Sequence, residues 1–103
     1  MNTSKLCPRF EKAMNLLSQR WTGMIIYLLL SGPHRFCAIE SVIGVSGRIL
    51  SERLKDLEQH GLVKRVVIPE TPVRIEYSLT EKGLAIQPIM REVENWSQNW
   101  LEA

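Results

Sequence analysis

Metal-binding and catalytic side chains are scarce in this 103-residue chain. Its two cysteines, Cys7 and Cys37, and its two histidines, His34 and His60, stand far apart. A structural metal site needs three or four such ligands at short spacing, so neither a metal nor a cofactor is expected. A nucleophile elbow, a phosphate-cradling glycine loop, an HExxH pair and a clustered carboxylate pair are also missing. With no catalytic constellation, an enzyme is not expected. Long apolar runs are absent too. Met24–Leu30 is apolar, but seven residues cannot span a bilayer. No apolar stretch precedes Cys7, so no secretory signal is expected. These absences point to a cytoplasmic protein with free thiols and no membrane partner.

What is present suits one domain over residues 1–103 with a modest core. Apolar residues make up 45% and charged residues 23%, an ordinary globular balance that leaves only Met1–Lys5 as expected disorder. The net charge is a modest +2, but it is unevenly spread. Lys5, Arg9, Lys12 and Arg20 face Glu11 alone in the first third. Arg35–Arg74 holds seven bases against five acids, and Ile75–Ala103 holds Lys82 and Arg91 against five glutamates. A basic body with an acidic tail fits a nucleic-acid partner, though a solvated mixed surface has the same charges.

Pro8 suits a first helical turn, and Phe10, Ala13, Met14 and Leu17 follow at helical spacing, so a helix is expected over Pro8–Ser18. Thr22 is expected to cap a second, nearly all-apolar helix over Thr22–Ser31, ended by Gly32-Pro33. Such a helix belongs at the centre of a core, with Trp21 as an anchor at its entrance. Phe36, Ile39 and Ile43 space a third helix, Phe36–Ile43, which Gly44 breaks. Ser46 is an N-cap for Ser46–His60, where Leu50, Leu54 and Leu57 recur at i, i+4 and i+7 and Gly61 stops the helix.

The pattern then changes to period two. Val63, Val66, Val67 and Ile68 form one β-branched run. Val73, Ile75, Tyr77 and Leu79 alternate in another, and Pro69 and Pro72 bound the turn between them. Thr80 caps a last helix, Thr80–Glu102, which Pro88 should kink or restart. The order is four helices, a hairpin and a helix. It predicts a mainly α fold with a small β-hairpin, a winged helix-turn-helix.

In that arrangement the reading helix buries one face and offers polar groups to the major groove with the other. Leu50, Leu54 and Leu57 face inward. Ser46, Gly47, Arg48, Ser51, Glu52 and Lys55 fall on the opposite arc. Arg48 can read guanine or bind phosphate, Ser46 and Ser51 can donate, and Gly47 leaves room for the DNA backbone. Arg53 lies beside the core leucines, where it can face phosphate. Lys64, Arg65 and Arg74 would add phosphate contacts from the wing. The expected partner is double-stranded DNA.

Taken together, Cys7-Pro8, Arg20-Trp21-Thr22, Gly32-Pro33-His34-Arg35-Phe36, Leu50–Glu58, Gly61-Leu62-Val63 and Ile75–Gly83 resemble the HxlR-type transcriptional regulators along nearly the whole chain. The similarity is greatest to the YodB-like thiol-sensing branch, and it extends to Pro69–Val73 at the wing tip. The resemblance implies a homodimer built from the first and last helices, on a two-fold operator. The residues support this independently, because Phe10, Met14, Met90, Val93, Trp96 and Trp100 give more apolar surface than one small domain can cover. Two reading helices would then sit about 34 Å apart, one turn of DNA.

The resemblance also implies a sensor cysteine near the N-terminus. Cys7 stands at a helix N-cap, between Lys5 and Arg9, where a thiolate is favoured. Reaction of Cys7 with a quinone, aldehyde or oxidant would release a repressor from DNA. Cys37 reads either as core or as the disulfide partner of Cys7 in the other subunit. Two rival readings stay open at this point. One is a regulator controlled by a reversibly bound ligand in the dimer cleft. The other is a winged helix that docks proteins and touches no DNA.

Overall fold

A computed structural model describes residues 7–103. The expectations for Met1–Lys5, including Lys5 beside Cys7, lie outside that range. Helix α1 (Pro8–Leu17) starts with Cys7 as N-cap and Pro8 in its first turn. None of its residues is fully buried; Leu16 and Leu17, near its end, are half-buried against the core, while its first two turns stay exposed. Helix α2 (Thr22–Leu29) is the centre of the core, with Ile25 and Ile26 fully buried. Its N-cap is Trp21, not Thr22. Trp21 takes a left-handed conformation (φ 78°), and Thr22 becomes the first helical residue, buried and unable to cap. Left-handed backbone at a bulky residue is strained, which no local spacing in the sequence announces.

The chain then makes a two-residue strand β1 (His34–Arg35), a helix α3 (Phe36–Ile43) and the longer helix α4 (Gly47–Gln59). Gly44 ends α3 with φ 77°, a left-handed cap that suits a residue without a Cβ. Ser46 caps α4, accepting a hydrogen bond from the Ile49 N–H at 3.3 Å. Leu50, Leu54 and Leu57 are buried as their spacing requires. Each removes enough apolar surface from water to contribute about 1.5–3 kcal/mol.

Strands β2 (Val63–Ile68) and β3 (Arg74–Leu79) pair antiparallel in the register Val63↔Leu79 to Ile68↔Arg74. Strand β1 adds to the other edge of β3, so the expected hairpin is a three-stranded sheet in the order β1-β3-β2. Two residues are too few to show a period, which is why β1 was invisible in the sequence. Thr80 caps only the short helix α5 (Glu81–Leu84), and α6 (Gln87–Trp100) restarts after it with Pro88 in its first turn. Proline therefore marks a restart, at the place where its missing N–H costs nothing. Among the described residues, no helix is long and apolar enough to cross a membrane.

The last helix divides its apolar residues between two faces. Ile86 and Met90 turn into the protomer, and Met90 is buried in the core. Ile89, Val93, Trp96 and Trp100 form an exposed stripe at spacings of four, three and four. Met90 is thus core first, unlike the other residues expected at a dimer contact. Phe10 and Met14 of α1 are exposed as that expectation required.

Candidate nucleic-acid interface

Helix α4 presents its polar arc to solvent. Ser46, Arg48, Glu52 and Lys55 are exposed, while Gly47, Ser51 and Arg53 are half-buried. Arg48 has 90% of its side chain accessible and sits 3.7 Å from Glu52 one turn on. So exposed an ion pair is worth only a few tenths of a kcal/mol, little enough for a phosphate or a guanine edge to displace.

Three of the expected contacts have other duties. The space a side chain at Gly47 would fill lies 2.9 Å from a Glu40 carboxylate oxygen and 3.7 Å from the Phe36 ring. Gly47 therefore lets α3 pack closely on the start of α4, before any DNA arrives. Arg53 uses its Nε–H to donate to the Arg20 carbonyl at 2.9 Å, so its guanidinium serves the turn after α1. Arg74 lies between two carboxylates, 3.4 Å from Glu70 and 3.2 Å from Glu76. The Glu76 approach lacks hydrogen-bond alignment, and Nε is left buried without a partner. Arg74 thus offers phosphate a charge that is already largely balanced.

The strand register sorts the remaining bases. Side chains alternate across a strand. Lys64 and Arg74 share one face of the sheet with Arg35 of β1, which pairs with Glu76. Arg65, opposite Tyr77, points to the other face, so Lys64 and Arg65 cannot meet the same phosphates side by side. Arg35 is exposed and was not among the expected contacts; only the pairing of β1 brings it beside the wing.

Both thiols are exposed. Cys7 begins α1, ahead of the helix's first unpaired N–H groups. Cys37 is not a core residue. Ile39, two positions on and about 200° around α3, takes the buried side and turns Cys37 outward. It lines a shallow cavity of about 480 Å³ with Arg35 and the wing loop from Glu70 to Ile75. A larger apolar groove of about 860 Å³ runs between α1, α2, α3 and α6, lined by Met14, Met24, Leu28, Val42 and Val93. At its rim the Tyr27 hydroxyl donates to Glu94 at 2.6 Å. That bond, then the charge of Glu94, then slight desolvation raise the Tyr27 pKa above its ordinary value.

Comparison with known proteins agrees with this geometry. The HTH-type transcriptional regulator YvaP of Bacillus subtilis is 57% identical over 99% of this chain and 95% of its own length. The reduced form of the transcriptional regulator YodB from the same organism superposes with a TM-score of 0.84 at 47% identity, covering 94% of this chain and 96% of that one. Quinone-bound YodB gives 0.80 at 42% identity over 92% and 100%. These relatives are transcriptional regulators, not enzymes. The model of the HxlR-like helix-turn-helix family matches residues 16–103, and the chain belongs to that family of transcriptional regulators.

Proposed function

We propose that this regulator represses by holding a two-fold DNA site as a cytoplasmic homodimer, and lets go when Cys7 reacts with an electrophile or oxidant. The observation that carries the reading is the exposed thiol at the start of α1, a helix with no fully buried residue that packs on its own protomer only through Leu16 and Leu17 near its far end. A helix so placed is free to be held by a partner subunit, and chemistry at its first residue can alter that hold. The quinone-bound structure of YodB supports a quinone as the class of electrophile. The Cys7 thiolate would add to a ring carbon of the quinone. The displaced π electrons pass to a quinone oxygen, which takes a proton, and transfer of the ring hydrogen as a proton to the second oxygen leaves a thioether on a hydroquinone. No outside reductant is needed.

Ser46, Arg48, Ser51, Glu52 and Lys55 are the groups proposed to meet the groove, with Lys64, Arg65 and Arg74 supporting from the wing. Gly47 and Arg53 act mainly inside the protein. Phe10, Met14, Val93, Trp96 and Trp100 are proposed for the dimer contact, with Met90 behind them. Cys37, exposed on α3, remains the candidate disulfide partner of Cys7 in the other subunit.

The test is a DNA-binding titration with benzoquinone on the parent and on Cys7→Ser. The parent should lose affinity at least tenfold, and the variant should hold its DNA. Equal release by both sinks the switch at Cys7, and an intact response in a variant that lacks Cys37 as well favours a reversibly bound ligand. A flat response of affinity to salt would instead remove DNA as the partner, because phosphate neutralisation releases counterions.

A further inference from the structure

The reading helix is tied to the far end of α1. Arg53 stands on α4 between the buried Leu50 and Leu54, and its half-buried side chain reaches back to the carbonyl of Arg20 at 2.9 Å. Arg20 belongs to the turn that joins α1 to α2. Its own guanidinium stacks 4.7 Å from the centre of the Trp21 ring. Trp21 holds the strained left-handed backbone (φ 78°), packs against the core, and accepts the first hydrogen bond of α2 from the Ile25 N–H at 3.0 Å. The Thr22 N–H closes the same turn on Gln19 at 3.1 Å.

We infer that Arg53 is a positioning residue for DNA recognition: it makes the α1–α2 turn a bearing for the reading helix, so that a shift of α1 changes how α4 is presented. This rests on α4 being the DNA-reading helix. Two independent observations support it. The guanidinium makes a charge-assisted bond to a backbone carbonyl, stronger than a neutral one. The carbonyl it holds precedes a residue in a sparsely populated conformation, which persists only where its surroundings fix it. The strain at Trp21 is thus held in a turn that Arg53 joins to α4. The same link connects the helix that begins with Cys7 to the helix that reads DNA.

Linkage is reciprocal, so DNA binding must stabilise the turn. The probe is a duplex that the full-length protein itself selects from a random-sequence pool. In the parent, adding this duplex should slow hydrogen exchange at the Thr22 and Ile25 amides at least threefold. Arg53→Met should bind the duplex about tenfold more weakly, with an unchanged salt slope and no slowing at the turn. A slope smaller by about 0.9 with the turn still slowed would make Arg53 a phosphate contact and overturn the inference. So would parent-like affinity in the variant. If Arg53→Met fails to fold, the parent still decides. Its Arg53 Nε–H signal should stay protected in the complex as in the free protein, and its loss on adding duplex is the overturning result. Failure to select any duplex would sink the DNA reading itself, and this inference with it.

Discussion

Single residues set tolerances that spacing alone does not reveal. A Cβ at Gly83 would collide with the backbone carbonyl of Leu62 and lie 3.0 Å from a Leu79 methyl. Backbone cannot yield cheaply, so Gly83→Ala should cost about 2 kcal/mol and lower Tm by roughly 10 °C. Gly47 is the contrast. There the obstacle is the flexible end of Glu40, and alanine favours the helix by about 0.5–1 kcal/mol. Moving Glu40 aside offsets part of that gain, so Gly47→Ala should melt within about 5 °C of the parent, since 1 kcal/mol shifts Tm by only about 4–8 °C in a chain this size. Equal melting of the two variants would refute both assignments. Tyr27 offers a second test. Its pKa stands above 10.0, chiefly through the hydrogen bond to Glu94. The bond therefore contributes below about pH 10 and is lost as pH rises through the raised value. In a Tyr77→Phe background, ultraviolet titration should place Tyr27 above the ordinary tyrosine midpoint, and Glu94→Ala, which removes both the acceptor and the charge, should bring it back down. A midpoint unmoved by that change would exclude Glu94 as the cause. At this scale the sequence predicted Ser46, Leu50, Leu54 and Leu57 well, because a cap and a helical period are local facts. It did not reveal the packing of Glu40 and Phe36 at Gly47, the bond from Arg53 to Arg20 or the exposure of Cys37, because what a side chain meets depends on which element packs opposite.

Elements were legible where their own residues decide them. The helix from Gly47 to Gln59 starts and stops at its cap and its glycine. The wing strands follow their alternation, and Pro88 opens α6. Strand β1 and the cap of α2 were not legible. The first exists only because β3 offers it an edge, and the second depends on a strained backbone stabilised from α4. The cap of α4, the helix proposed to read DNA, can be tested directly. Ser46 satisfies one of the N–H groups at the start of α4, by a bond of 3.3 Å at the long end of the range. Ser46→Ala should cost about 1 kcal/mol in chemical denaturation. Ser46→Asp should restore stability through the helix dipole. Yet it should weaken DNA binding, because it sets a negative charge where phosphate is proposed to lie. Asp binding DNA as well as Ser does would move the interface away from this end of α4.

The whole molecule is longer than its core requires. Its extents are 53 × 33 × 25 Å and its radius of gyration is 15.3 Å, where a compact chain of this length has about 13 Å. Apolar surface is left over on α1, where Phe10 and Met14 are exposed, and on α6, whose outer stripe leaves Trp96 57% and Trp100 74% exposed. Monomers rarely leave so much contiguous apolar surface in water. A second copy laid against both helices, as proposed, would cover it. Val93 lies midway along this stripe at 56% exposure, so an aspartate there leaves the protomer's core intact. In a dimer it would bury an unpaired charge at the centre of the contact. A central hot-spot change costs about 2–4 kcal/mol, which loosens association roughly 30- to 1000-fold. Val93→Asp should therefore sediment as a monomer at micromolar concentration with an unchanged circular dichroism spectrum. It should also lose affinity for a two-site duplex far more than for a single half-site, because the second half-site no longer benefits from a tethered partner. Val67→Asp, on the exposed wing at 52%, is the matched control and should leave association intact. If Val93→Asp sediments like the parent, α6 is not the dimer contact, and the exposed stripe needs another occupant.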